Sequence, residues 1–180
     1  MPEIQIRLAI STDLSSLSVI DHSTKSDYVW QMESLAEPEQ LGVNFRKVRL
    51  PRSVSVEYPR RPGTLSEMWK SHAGILVAEH EGAVIGYCTI DEPADGQVAW
   101  VKDVVVTENL RRQGIGASLL LAAQDWAQQR RLRRMMLETT AKNNPGISLA
   151  LKLGYIYCGY NDSYFTSHDI AFFFTRMLKK

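Results

Sequence analysis

Val104-Val105-Val106, then Thr107 to Leu110, then Arg111-Arg112-Gln113-Gly114-Ile115-Gly116-Ala117 is the stretch whose residue types and spacing best suit chemistry. A β-branched run predicts a strand, a short polar turn follows, and a glycine-spaced basic loop opens an apolar-periodic helix. The first-turn N–H groups of a helix have no intrahelical partner. Aligned peptide dipoles add partial positive charge at the same end, so the loop is an anion site suited to phosphate. Gly114 and Gly116 lack the Cβ atoms that would hold a pyrophosphate away from the backbone. Arg111 and Arg112 add charge beside it. A Walker loop would need Gly-Lys-Ser/Thr at its end, but Ala117 and Ser118 follow Gly116. A dinucleotide fingerprint would need a third glycine where Leu119 stands. What remains is Arg-x-x-Gly-x-Gly after a hydrophobic strand.

The elements that must position this loop fit one domain, 1–180, long enough to bury a core. A formal net charge of +1 argues against a nucleic-acid polyanion as partner. No apolar run is long enough to span a membrane. Met1-Pro2-Glu3-Ile4-Gln5 lacks the basic and apolar blocks of a signal peptide, so the chain is expected to be cytoplasmic. Cys88 and Cys158 each sit in an apolar, strand-like run, which predicts two buried free thiols. His22, His72, His80 and His168 are scattered without metal-ligand spacing, so no metal is expected.

Ile4 to Ile10 alternates with period two and predicts a first strand. Ser11-Thr12-Asp13 suits the cap of a helix through Leu14, Leu17 and Ile20. Tyr28–Met32 and Val43–Leu50 are candidate strands about a turn at Pro38-Glu39-Gln40-Leu41-Gly42. Pro51, Pro59 and Pro62-Gly63 predict a loop, and Thr64 suits the cap of a short helix from Leu65 to Lys70. Ile75–His80, a Glu81-Gly82 hairpin turn, Ala83–Asp91, a turn at Pro93–Gly96 and Val98–Val106 predict a three-stranded meander ending at the glycine loop. Leu119, Leu120, Ala123, Trp126 and Ala127 line one face of a helix from Gly116 to about Gln129. Arg130-Arg131-Leu132-Arg133-Arg134 suits its solvated C-terminal end. Met135–Thr139 is a strand expected to run parallel to the preceding one. Asn143-Asn144-Pro145 opens a short helix ending near Gly154. Tyr155–Gly159 and Ile170–Met177 are the last strands. Ile170-Ala171-Phe172-Phe173-Phe174 suits a core strand or pairing with a second copy in a homodimer.

From Gly74 onward this order resembles the GNAT superfamily of N-acetyltransferases. Leu137-Glu138-Thr139, then Asn143, then Lys152-Leu153-Gly154-Tyr155 resembles that family's second conserved block. Asp27-Tyr28-Val29-Trp30, Phe45-Arg46-Lys47-Val48, Val56-Glu57-Tyr58-Pro59, Val101-Lys102-Asp103-Val104 and Cys158-Gly159 are more narrowly similar to streptothricin (nourseothricin) acetyltransferases. The resemblance implies an α/β fold with a central, mostly antiparallel sheet, a splayed parallel strand pair and flanking helices. Residues 1–73 would form the acceptor-side front half and 74–180 the acetyl-CoA-binding core.

The resemblance further implies acetyl-CoA as acyl donor and a small-molecule amine as acceptor, with no metal, membrane or nucleic acid. Val104, Val105 and Val106 would line the pantetheine arm, with the backbone of Val104 and Val106 pairing to it. Arg111, Arg112, Gln113, Gly114, Ile115, Gly116 and Ala117 would hold the pyrophosphate, and Asn143 would contact the cofactor. An alkylammonium with a pKa near 10.4 must lose a proton before it can attack. Asp103 and Glu138 are the candidate bases, each also explained as a strand-end carboxylate satisfied by neighbours. The family's usual Tyr acid falls at Ala150 here, and Tyr155, Tyr160 or Tyr164 could substitute, Tyr164 from a polar loop. Asp27, Glu33, Glu57, Asp95, Asp103 and Asp162 could build an acidic cleft for a cationic acceptor, with Trp30, Tyr58 and Trp100 as an aromatic wall. The alternatives are another amine (a polyamine, amino acid or protein lysine) or a non-catalytic acyl-CoA-binding module.

Overall fold

The computed structural model describes residues 2–60, 65, 67, 69–93 and 97–179. The expected Thr64 cap, the turn at 94–96, and Ser66 and Met68 of the expected helix lie outside them. The strands are β1 (Gln5–Leu8), β2 (Thr24–Glu37), β3 (Gln40–Val56), β4 (Gly74–His80), β5 (Ala83–Asp91), β6 (Val98–Val106), β7 (Arg134–Thr140), β8 (Ile156–Asn161) and β9 (Ala171–Met177). The helices with described bounds are α1 (Leu14–Ser18), α2 (Ile115–Gln129) and α3 (Asn144–Lys152), with 3-10 turns at Ser11–Asp13 and Glu108–Leu110, and Leu65 and Glu67 are helical as expected.

Seven strands form one sheet in the order β1-β4-β5-β6-β7-β9-β8. Among the described residues only β6 and β7 pair in parallel, because α2 carries the chain back across the sheet between them. The mixed, mostly antiparallel α/β architecture expected from the sequence is therefore the one observed. The Glu81-Gly82 turn takes positive φ at both residues, 49° and 78°, the conformation a two-residue hairpin needs.

Each face of the sheet buries its own layer. On one face, Ile115, Leu119, Leu120, Ala123 and Ala127 of α2 pack on Ala78, Cys88, Ile90, Val101 and Leu137. Leu119 is 0% exposed, a burial that contributes about 1.5–3 kcal/mol. On the other, Leu17 of α1 and Ile20 cover Ile75, Val77, Tyr87 and Val105. No helix of the described residues is long and apolar enough to cross a membrane.

Several local expectations need correction. β2 and β3 are longer than the apolar runs suggested and form a separate two-stranded arm. The turn is confined to Pro38-Glu39, since Glu37 already pairs with Gln40. Pro51 lies within β3, not in a loop. Ser26 pairs with Val54 and Tyr28 with Arg49, so Pro51 occupies an irregularity where no ladder N–H is required. Cys88 is a buried free thiol, but Cys158 is exposed. It sits on the edge strand β8 at a register shift between Tyr157 and Gly159, where no layer covers it. The apolar run at 170–174 is a core strand, because β9 is filled by β7 on one edge and β8 on the other.

Candidate active site

The parallel strands β6 and β7 pair only from Val98 with Arg134 to Val101 with Leu137. Beyond that point β6 continues beside β5 as far as Val106, and β7 continues beside β9 as far as Thr140. The cause is local. Thr89 pairs with Asp103 and Ile90 with Val101, so Lys102 is an extra residue in β6. Such a bulge bends and twists its strand, and here it turns β6 away from β7. The gap it opens leaves the β7-side edge of β6 without a partner strand.

The gap leads to the glycine loop. Gly114 has φ 90°, a left-handed conformation open to glycine, and Arg112 has φ 65°. The Ser118 N–H donates to the Gly114 carbonyl at 3.0 Å, so the amides just ahead of it are free of intrahelical bonds. A Cβ on Gly116 would stand 3.4 Å from Leu149 Cδ2 and 3.7 Å from Val104 Cγ1, narrowing the passage between loop and strand. Arg112 and Gln113 are exposed, Ala117 is half-buried, and Ile115 anchors the helix in the core. Arg111 is turned inward. Its guanidinium donates to the carbonyls of Val106 (2.7 Å), Ser23 (2.7 Å) and Asp21 (2.5 Å), clamping the loop to the segment after α1. Asn143 caps α3 by accepting from the Gly146 N–H at 3.0 Å. Val105 points to the α1 face, and Val104 and Val106 pack against the α2 core.

These features fit a CoA thioester. An extended amide chain laid along β6 would meet unpaired strand edge, and a diphosphate would meet clustered helix-start amides.

At the mouth of the gap four charged side chains gather on the α1 face. Tyr58 Oη and Arg60 Nη1 each donate to Asp103 Oδ1 at 2.8 Å. Thr89 Oγ1 donates to Asp103 Oδ2 at 3.0 Å and accepts from the Asp103 N–H at 3.1 Å. Arg60 Nη2 also donates to Glu138 Oε1. Lys102 Nζ donates to Glu138 Oε2 at 2.8 Å, and the Tyr164 hydroxyl approaches the same oxygen at 3.4 Å. The Asp103 and Glu138 side chains are 8% and 1% exposed, and Arg60 and Lys102 are both 23% exposed. Two carboxylates so buried need two cations, and they have them. Burial and the Asp103 charge push the Tyr58 phenol well above its ordinary pKa. Burial pulls the Arg60 pKa down, but Asp103 and Glu138 raise it further, so it stays charged.

The cluster extends away from the gap. His22 Nε2 lies 2.7 Å from Tyr87 Oη, and its ring packs against Tyr58 with centroids 4.7 Å apart. Burial lowers the His22 pKa, and the Asp103 charge partly opposes this.

The structure thus brings Asp103, Glu138 and Tyr164 together. Tyr155 is a core residue whose hydroxyl accepts from Gln124 Nε2 at 3.1 Å, with its pKa pushed by burial up to about 12. Tyr160 packs on Phe45 in the outer layer. The other expected acids do not converge. Asp27 accepts from Ser53, Glu33 pairs with Arg46 on the arm, and Asp162 lines a separate depression with Trp30 and His168. Glu57 is exposed, and Asp95 lies outside the described residues. The aromatic wall is divided as well. Trp30 packs on Phe172 and Trp100 on Phe173, adjacent residues of one strand that face opposite ways. Arg60, Thr89, Tyr87 and His22 carry no sequence signal for this site. Arg60 is 43 residues from Asp103 and 78 from Glu138 along the chain.

Residues 39–155 match the Acetyltransferase (GNAT) family. A streptothricin acetyltransferase of Streptomyces lavendulae is 30% identical over 79 residues, 44% of this chain. The match spans 42% of that curated relative, less than half its length. A solved nourseothricin acetyltransferase has a TM-score of 0.84 at 19% identity, covering 98% of this chain and 99% of the other. A Bacillus anthracis protein described as a candidate streptothricin acetyltransferase was solved in complex with acetyl coenzyme A. It has a TM-score of 0.76 at 19% identity, covering 97% of this chain and 99% of its own. At such identities these two structures speak for the fold.

Proposed function

The chain belongs to the acetyltransferase (GNAT) family, and on that premise we propose that it moves an acetyl group from acetyl-CoA directly to a primary amine of a small cationic acceptor of the streptothricin type. The observation that carries this reading is the parting of β6 and β7 after Val101 and Leu137, with Asp103 and Glu138 placed just beyond. The Streptomyces lavendulae relative supports the acceptor class.

Acetyl-CoA supplies the acetyl group and, in the thiolate, a fair leaving group with a pKa near 8.5. The backbone of Val104 and Val106 pairs with the pantetheine arm, and amides from Arg112 to Ala117 hold the pyrophosphate. The Val104 N–H faces the developing oxyanion. Asp103 takes the proton that the acceptor ammonium must lose. Glu138 holds Arg60, Lys102 and Tyr164 around the reacting centre, and the Tyr164 hydroxyl returns a proton to the sulfur in place of the residue missing at Ala150.

A second reading has its own observation. Arg60 and Lys102 already neutralise both carboxylates, so the site lacks the open negative charge a polycation favours. That balance suits another amine, such as an amino acid whose carboxylate would meet Arg60 or Lys102. Release of CoA thiol from acetyl-CoA, with and without streptothricin and with mass spectrometry of the product, separates the two. A singly acetylated streptothricin supports the first reading. Thiol release only with other amines supports the second. A melting temperature raised by acetyl-CoA without release on any amine leaves a binding module, the reading favoured by the buried Ala150.

A further inference from the structure

We propose that the tip of the β2–β3 arm docks on a second copy of this chain, in a two-fold contact where each arm lies across the partner's β8. This stands on the surface of the chain and not on the acetyltransferase reading. The register puts Trp30, Met32 and Ala36 of β2 on one face of the ribbon with Phe45, Val43 and Leu41 of β3. Near its base this face is covered by the chain itself. Trp30 packs on Phe172, and Phe45 packs on Phe172, Tyr157 and Tyr160. Beyond Phe45 the cover ends. Every residue from Glu33 to Leu41 is exposed, and Leu41 is 92% exposed. The same apolar face therefore continues past the body without support. A two-stranded ribbon alone in water is marginal, so the tip gains from a surface to rest on.

A second copy offers that surface in its β8. This edge strand carries no charged residue, whereas edges left in water are commonly blunted by charge. Ile156, Tyr157 and Tyr160 are exposed on it, and the two tyrosines are the rings on which the base of the arm already packs. The overhanging face thus meets on the partner the kind of surface that the covered face meets within the chain. The register shift between Tyr157 and Gly159 breaks the regular spacing of β8, so side chains make the contact and not a continued ladder.

The charges match as well. Glu37 and Glu39 at the tip are exposed, as are Arg134 at the start of β7 and Lys152 at the end of α3. None of the four has an ion-pair partner among the described residues. Arg134 pairs with Met177 of β9, the strand beside β8, and Lys152 shortly precedes β8 in the chain. Under a two-fold axis each copy gives its acidic tip and receives the other's, so the contact forms twice. A formal net charge of +1 opposes the association little.

The test is sedimentation of the full chain from about 1 to about 100 µM, a range that spans contacts of micromolar affinity. The unchanged chain should pass from monomer to dimer across it. Leu41→Asp should weaken the dimer at least roughly tenfold by charging an apolar contact made twice. Its melting temperature at low concentration should not change, because the tip has no part in the core. Two charge variants then locate the partner surface. Glu37→Lys with Glu39→Lys in one chain, and Arg134→Glu with Lys152→Glu in another, place like charges together in each dimer. Each alone should associate roughly tenfold more weakly. Mixed in equal amounts they should recover, since every tip then meets opposite charge, a result that contact within one chain cannot give. A monomer at every concentration overturns the proposal. So does a dimer that Leu41→Asp leaves intact, a charge variant that dimerises alone as before, or a mixture that fails to recover.

Discussion

Asp103 and Glu138 stand on strands that have just parted, and one guanidinium joins them. Arg60 donates to Asp103 Oδ1 at 2.8 Å through one nitrogen and to Glu138 Oε1 through the other. The bridge ties β6 to β7 where their backbone ladder has ended. The gap is therefore spanned by side chains at its mouth and open along its backbone edge.

Arg60→Ala should be costly for this reason. It leaves two buried carboxylates short of a cation, with Lys102 as the remaining one on Glu138. Removing one partner of a buried pair costs about 3–5 kcal/mol, and the donors that remain place the expected loss near the lower figure. Urea unfolding of the variant beside the unchanged chain measures it. An unaltered midpoint would show that Arg60 does not hold the carboxylates in solution.

Gly116→Ala should separate stability from donor binding. The new methyl meets Leu149 Cδ2 at 3.4 Å, an ordinary contact, and alanine is the better helix former by up to about 1 kcal/mol. Melting temperature should hold or rise. The same methyl narrows the passage beside Val104, so acetyl-CoA should bind about tenfold more weakly, or roughly 1.4 kcal/mol. Isothermal titration checks the affinity, and undiminished binding would place the pantetheine elsewhere.

Asp13 ties the start of α1 to β1. Arg7 reaches its two oxygens at 2.7 and 3.1 Å, and the Ile10 N–H donates to it at 2.8 Å. The Arg7 hydrogen bonds, offset in part by burial, hold the Asp13 carboxyl below its ordinary pKa. A folded pKa below the unfolded one stabilises fully above the unfolded value, near 3.9, and the gain disappears as pH falls through the folded value. Asp13→Asn should cost about 2 kcal/mol at neutral pH and much less at pH 2 to 3. Denaturation curves at the two pH values test this, and an equal loss at both would remove the ion pair as the cause.

The two cysteines should react differently. Cys158 is exposed on the edge strand, whereas burial raises the Cys88 thiol pKa to about 12. A thiol reagent should label Cys158 alone in the folded protein and both after denaturation, as read by intact mass. Labelling of native Cys88 at a similar rate would contradict the packing under α2.

Much of this architecture was legible in the chain because its signals are local. Period-two runs marked the meander, the 3.6-residue face from Leu119 to Ala127 marked α2, and Arg111, Gly114 and Gly116 marked the loop before it. The candidate bases Asp103 and Glu138 could be named because each lies on a strand whose course was already predicted. The arm was underestimated because one polar face of β2 and β3 meets solvent, and because Pro51 looks like a breaker unless its partner strand is known.

The sequence by itself determined the order of elements, the glycine loop at a helix start, and the family to which that pattern belongs. Only the tertiary structure decided where β6 leaves β7, because a bulge at Lys102 exists only relative to the register of β5. It alone decided that Arg60 lies between Asp103 and Glu138, that Arg111 turns inward, and that His22 reaches Tyr87. Those contacts join residues tens of positions apart. A charge or a histidine in a loop acquires a partner when packing closes the distance, and no local periodicity records which partner that is.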